Sequence, residues 1–328
     1  MMSGARIICA AIALAIASST LMPSHVLAAA AAPPAAKAPA AKPAATKPPI
    51  ARAPATKAPA AESAPQLPKL TAAQIVDNNI AARGGAEAWK AVQSMQFSGK
   101  LDAGHGDNVA RAMRMVNAGK KASGKGSSAD IKAANEANEP AQEIQLPFTL
   151  VLKRPNLTRM EVVFDGKTAV QVYDGEHGWK LRPFLNRSDA EPFTADEMKT
   201  ESERGDLDGP LIGYAAKGTK VEFEGTEMVE GQGAYRLKVT PRNGAVKHVW
   251  IDGKTFLDVK MEGFPRRMDG KMHPVYVYQR DFRSVQGVII PFVMETAVEG
   301  YAETHKLQIE KAVINPKVDA AQFSKPHA

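Results

Sequence analysis

Runs of apolar residues at every second position, separated repeatedly by an Asx-Gly pair, constrain this chain's fold more than any other feature. Ile144, Leu146, Phe148, Leu150 and Leu152 recur with a period of two, as do Met160, Val162 and Phe164. Tyr235, Leu237 and Val239 alternate with Arg236, Lys238 and Thr240, and Leu257, Val259 and Met261 alternate with Asp258, Lys260 and Glu262. A period of two puts one set of side chains on one face of a strand. Between the runs lie Asp165-Gly166, Asp174-Gly175, Asn243-Gly244, Asp252-Gly253 and Asp269-Gly270. A type I′ turn needs positive φ at both central residues, so such pairs are the strongest short signal of a hairpin. Hairpin after hairpin gives a mainly β, antiparallel meander of ten or more strands, and a sheet that wide curls or closes.

Two helical pieces interrupt this pattern. Thr71-Ala72-Ala73-Gln74 is a capping box, followed by Ile75, Val76 and Ile80 at helical spacing and stopped at Gly84-Gly85. A second short helix forms around Trp89 and Val92, before alternation starts at Met95, Phe97, Gly99 and Leu101. Helices this short are unstable alone and must lie against something. Further on, Thr194 and Glu197 open a helix running to Arg204, followed by Gly205–Tyr214 (GDLDGPLIGY), too rich in glycine for a strand. The expected arrangement is a curved sheet whose mouth is covered by a helical lid or plug. Its inner face holds more apolar surface than the helices can fill, and unfilled apolar space attracts an apolar ligand. The residues expected at that hollow are Ile75, Val76, Ile80 and Trp89 on the lid, and Phe97, Leu146, Phe148, Leu150, Met160, Val162, Trp179 and Trp250 on the wall.

The N-terminus reads as export machinery. Residues 1–28 hold one basic residue, Arg6, an apolar run from Ile7 to about Leu21, and the small-residue site Val26-Leu27-Ala28. The run is shorter than the ~20 residues a membrane span needs. The single cysteine, Cys9, lies inside it, so the processed chain has no thiol for disulfides, nucleophilic catalysis or Cys-based zinc. Residues 29–68 form an Ala/Pro/Lys-rich tether, with Lys37, Lys42, Lys47, Arg52 and Lys57 at five-residue intervals. Frequent proline favours polyproline II at ~3.1 Å per residue, which spaces the charges and turns them around the axis. Such repeats resemble tails that pack DNA, but export removes nucleic acid as a partner. Weak contact with anionic membrane or cell-wall surfaces is the interaction they allow. One domain, residues 69–328, remains, with a flexible insertion at about 103–143.

The stretches PFTLVLKRPNLTRMEVVFDGKTAVQVYDGEHGWKLRPF, DLDGPLIGY, DFRSVQGVIIPF and IEKAVINPKVDAAQFSKP resemble periplasmic outer-membrane lipoprotein-sorting proteins of the LolA type, related to LolB- and RseB-like barrels. The resemblance spans about residues 71–102 and 144–326 and is spread over strands and turns. It implies an unclosed β-barrel with a helical lid, a hollow for lipid or lipoprotein acyl chains, and a periplasmic location. It also implies an inner-membrane exporter and an outer-membrane acceptor as partners. The tether and the insertion depart from that pattern. A carrier trafficking acyl chains towards the outer membrane is the leading expectation, and a lipid- or lipoprotein-sensing regulator on the same fold is the alternative. Such regulators carry a further C-terminal domain, and here the sequence ends with the barrel.

Nothing in the sequence argues for catalysis, a cofactor or a metal. Gly119–Gly126 (GKKASGKG) lacks the hydroxyl that closes a phosphate loop. Asn108–Val116 offers one or two basic amphipathic turns, with Met113 and Met115 among arginines. His105, His177, His248, His273 and His305 lack metal-ligand spacing, and Asp206-Leu207-Asp208-Gly209 is only a fragment of a calcium loop. No G-x-S-x-G and no acid pair stand out, leaving an enzyme with an unrecognised site as the weakest alternative.

Overall fold

The computed structural model describes residues 65–105, 143–183, 187–204 and 206–327. The expected leader at 1–28, the tether up to residue 64, and residues 106–142 of the insertion lie outside the described residues. That last segment includes the Gly119–Gly126 run and the Asn108–Val116 turns.

A thirteen-stranded antiparallel sheet carries the fold, in the order β6-β5-β4-β3-β2-β1-β15-β14-β13-β10-β9-β8-β7. Its strands are β1 Ser94–His105, β2 Glu143–Lys153, β3 Leu157–Phe164, β4 Lys167–Tyr173, β5 Gly178–Arg182 and β6 Arg187–Pro192, then β7 Lys220–Val229, β8 Gln232–Thr240, β9 Lys247–Asp252, β10 Asp258–Glu262, β13 Val275–Val285, β14 Val288–Val298 and β15 Thr304–Ile314. A separate two-stranded hairpin, β11 Arg266–Met268 and β12 Lys271–His273, interrupts the step from β10 to β13. The first and last strands pair in the middle of the sheet, Met95 opposite Ile314 and Leu101 opposite Leu307. The two free edges, β6 and β7, are therefore neighbours in sequence. The barrel is unclosed, and the chain from Phe193 to Thr219 is what passes between its edges.

Alternation sorts the two faces. In β14 every second residue from Val288 to Val298 is buried. Phe97, Leu146, Phe148, Leu150, Met160, Leu237, Val249, Val277, Met294 and Leu307 belong to one continuous buried cluster on the inner face. The outer face holds two small clusters, one around Val151, Val172 and Phe323 and one around Val229, Ala234 and Trp250. At Gly99 the β1–β15 register shifts, and a Cβ there would lie 2.0 Å from the Gln308 carbonyl oxygen. Only glycine lets these strands approach so closely.

The turns follow the expected chemistry in part. Asp165-Gly166 and Asp269-Gly270 have positive φ at both residues. So do Glu230-Gly231 and Gln286-Gly287, which join β7 to β8 and β13 to β14 without an Asx residue. Asp174 instead accepts hydrogen bonds from the amides of Glu176 and His177, making a longer turn. The alternation expected over Leu257–Glu262 breaks at a bulge between Asp258 and Lys260, which turns Val259 to the outer face beside Trp250.

Among the described residues three α-helices lie off the sheet: α1 Ala72–Ala82, α2 Ala86–Ala91 and α3 Ala195–Arg204. Both capping boxes form. The Thr71 hydroxyl accepts from the Gln74 amide at 3.2 Å and the Gln74 side chain accepts from the Thr71 amide at 2.9 Å. Thr194 and Glu197 repeat this at 3.3 and 2.7 Å. Before α1, Leu67 packs against the core, and the Tyr235 hydroxyl donates to the Pro68 carbonyl at 2.9 Å.

Candidate functional site

The inner face of the sheet is covered by pieces that are not sheet. Helix α1 buries Ile75, Val76 and Asn79 completely, and Trp89 of α2 is 2% exposed. The third piece is the turn-rich stretch from residue 206 to 218, which places Leu207, Leu211 and Ile212 in the same buried cluster. Sequence reading assigned that stretch no role. Its signal was the apolar spacing of Leu207, Leu211 and Ile212 inside an otherwise glycine-rich run.

The double glycine after α1 is explained by what it touches. Gly84 has φ +104, and a Cβ there would lie 2.1 Å from the Gly287 carbonyl oxygen. The helix pair thus seats backbone against backbone on the β13–β14 turn. The Arg83 carbonyl accepts from the Ile289 amide at 2.9 Å and from the Trp89 indole at 2.9 Å. The Arg83 guanidinium lies over the Trp89 ring, 4.3 Å from its centroid, and donates to the Asp208 carbonyl at 3.1 Å.

Polar contacts hold the plug at a few points. Arg154, at the β2–β3 turn, donates to the carbonyls of Val92 and Trp89 at 2.7 and 3.1 Å and grips the Asp208 carboxylate with two nitrogens at 2.5 and 3.0 Å. One side chain thus ties the sheet, α2 and the 206–218 stretch together. The bond to Asp208, offset in part by burial, holds the Arg154 pKa above its ordinary value. Lys217 pairs with Asp206 at 2.5 Å. Both carboxylates of the calcium-like fragment are therefore engaged by cations. On the far side of α1, Asn79 donates to the Phe256 carbonyl at 2.8 Å and to Asp258, while its own side-chain oxygen is buried without a hydrogen-bond partner.

Of the residues expected at the hollow, Ile75, Val76, Trp89, Phe97, Leu146, Phe148, Leu150, Met160 and Val162 share the inner cluster, and Ile80 packs against it. Trp179 and Trp250 do not. Trp179 pairs with Val172 and packs with the outer cluster around Val151, while Trp250 stands opposite Arg236 and Lys260 on the outer face. There Lys260 covers the Trp250 ring at 4.4 Å and Glu227 accepts from its indole at 2.7 Å. The residues that sequence reading missed are Arg154, Asp208, Asn79 and Arg83, whose partners are distant along the chain.

No family model matches the chain, and no curated protein matches it. Among solved structures, the chain is similar to a LolA-superfamily protein from Nitrosomonas europaea at 11% identity, with a TM-score of 0.46 over 78% of this chain and 99% of that one. It is also similar to an outer-membrane lipoprotein-sorting protein domain from Vibrio parahaemolyticus at 11% identity, with a TM-score of 0.44 over 77% of this chain and 95% of that one.

Proposed function

We propose that this protein is a periplasmic carrier that takes lipid or lipoprotein acyl chains between the inner face of its open barrel and a displaceable plug. The observation that carries this reading is the make-up of the plug. One side of a large buried apolar cluster is closed by a helix of 11 residues, a helix of 6 residues and a stretch of turns. None of these is sheet, and the strand-to-strand ladders pair without them, although the Ile289 amide of β14 bonds to the Arg83 carbonyl.

The energetics of exchange favour a reversible carrier. Each large apolar side chain contributes about 1.5–3 kcal/mol on burial, so Ile75, Val76, Trp89, Leu207, Leu211 and Ile212 together hold the plug by about 9–18 kcal/mol. A sixteen-carbon chain at about 0.8 kcal/mol per CH₂ contributes about 12 kcal/mol. Ligand and plug are closely matched for the same surface, which allows both loading and release.

Native mass spectrometry of the protein purified from its own periplasm tests the reading. A co-purifying acyl lipid, released when the protein is unfolded, is the expected result. A bare protein that also fails to take up added fatty acid would remove it.

A further inference from the structure

Resting on the acyl-chain reading, we propose that Arg266, His273 and His305 form a recognition site for the anionic headgroup, carboxylate or phosphate, of the bound chain. The site lies at the end of the barrel away from α1 and α2. The plug is seated where β13 turns into β14, whereas β14 turns into β15, and β10 leads into the β11–β12 hairpin, at the opposite end. His305 is two residues before Leu307 and stands opposite the buried Thr296, so it shares the inner face at that end. Arg266 and His273 face each other across the β11–β12 hairpin. The His273 ring packs edge-on against Tyr301 of the β14–β15 turn at 5.2 Å, and Tyr301 bonds to Asp269.

All three side chains have unmet polar capacity. Among the described residues the Arg266 side chain has neither a hydrogen bond nor an ion pair, and burial alone, with no carboxylate offsetting it, pushes its pKa below the ordinary value. Arg266 is half-buried, and a cation partly withdrawn from water is normally paired. Nε2 of His273 and Nδ1 of His305 are both buried without a hydrogen-bond partner. Burial and the nearby Arg266 charge lower the His305 pKa, against a hydrogen bond to the Asp102 main chain and the charge of Glu303. An anion between these groups would pair the guanidinium and favour protonation of His305. Along β15, His305 to Ile314 spans about 30 Å at ~3.3 Å per residue, ample for a chain lying on the inner face with its head at this end.

The test compares palmitate with hexadecanol, which share a chain and differ in the head, on the purified full chain and on Arg266→Gln and Arg266→Lys. The expected result is that Arg266→Gln weakens palmitate about ten- to hundredfold, leaves hexadecanol within about twofold, and is largely rescued by Arg266→Lys. Palmitate and hexadecanol binding equally, with Arg266→Gln changing neither, would overturn the headgroup site and leave the acyl reading intact. If neither binds, inorganic phosphate is added and the imidazole proton resonances of His273 and His305 are followed. Shifts that vanish in Arg266→Gln would establish an anion site for free phosphate and remove the acyl reading. No shift would overturn both.

Discussion

Arg154 concentrates more of the plug's attachment in one side chain than any other residue described. Replacing it with methionine keeps the packing of its stem but leaves the Asp208 carboxylate, 18% exposed, with only the looser Lys217 contact at 4.0 Å. Loss of a charge-assisted pair in such a setting costs about 2–3 kcal/mol, read as a shift in the urea midpoint at unchanged slope. A double-mutant cycle with Asp208→Asn should give a coupling of about 1–3 kcal/mol, whereas a coupling near zero would mean the pair is incidental. Gly84→Ala should cost about 2–3 kcal/mol, because a Cβ meets the Gly287 carbonyl oxygen and positive φ disfavours alanine. A loss below about 0.5 kcal/mol would show that the contact relaxes freely. Acid sensitivity has a local source in Glu295. Burial alone would raise its pKa, but hydrogen bonds from Thr304 and Arg280 and the Arg280 charge outweigh it and hold the carboxyl below its ordinary 4.5. A depressed folded pKa gives stability that is present above the unfolded value and lost as pH falls through the folded one. Glu295→Gln should therefore lower stability at neutral pH and flatten its fall below about pH 4.5, measured by urea titrations across pH.

At the scale of elements, α1, α2 and the 206–218 stretch should open before the sheet does. Native-state hydrogen exchange should show these amides exchanging through a sub-global opening, with free energies below those of β1, β2 and β14. Equal protection throughout would make the plug ordinary core. The sheet itself was largely legible in the sequence, because period-two alternation and two of the Asx-Gly pairs report backbone geometry directly. The hairpins at Glu230-Gly231 and Gln286-Gly287 were not, since Glu and Gln carry no enrichment at positive φ and only the second residue signals the turn. Alternation also separates two faces without naming the inner one. Trp179 and Trp250 were expected on the inner wall, yet Trp250 is buried on the outer face by Lys260 and Arg236 stems. The site was less legible than the fold. Arg154 and Asp208 lie 54 residues apart, and no local pattern marks a pair that tertiary structure creates.

For the whole molecule, the central claim is that the plug must leave the inner face for a chain to enter. Asn79 and Asp258 are hydrogen-bonded across α1 and β10, and the chain's only natural cysteine, Cys9, lies in the expected leader. Asn79→Cys with Asp258→Cys would therefore lock α1 to the sheet under oxidising conditions and free it with reductant. The direct measurement is uptake of a fluorescent fatty acid by this variant, with circular dichroism taken in both states to establish that the fold persists. The account predicts native dichroism throughout, uptake abolished when oxidised and restored on reduction. Equally fast uptake in both states would contradict it, because the chain would then enter without the plug moving.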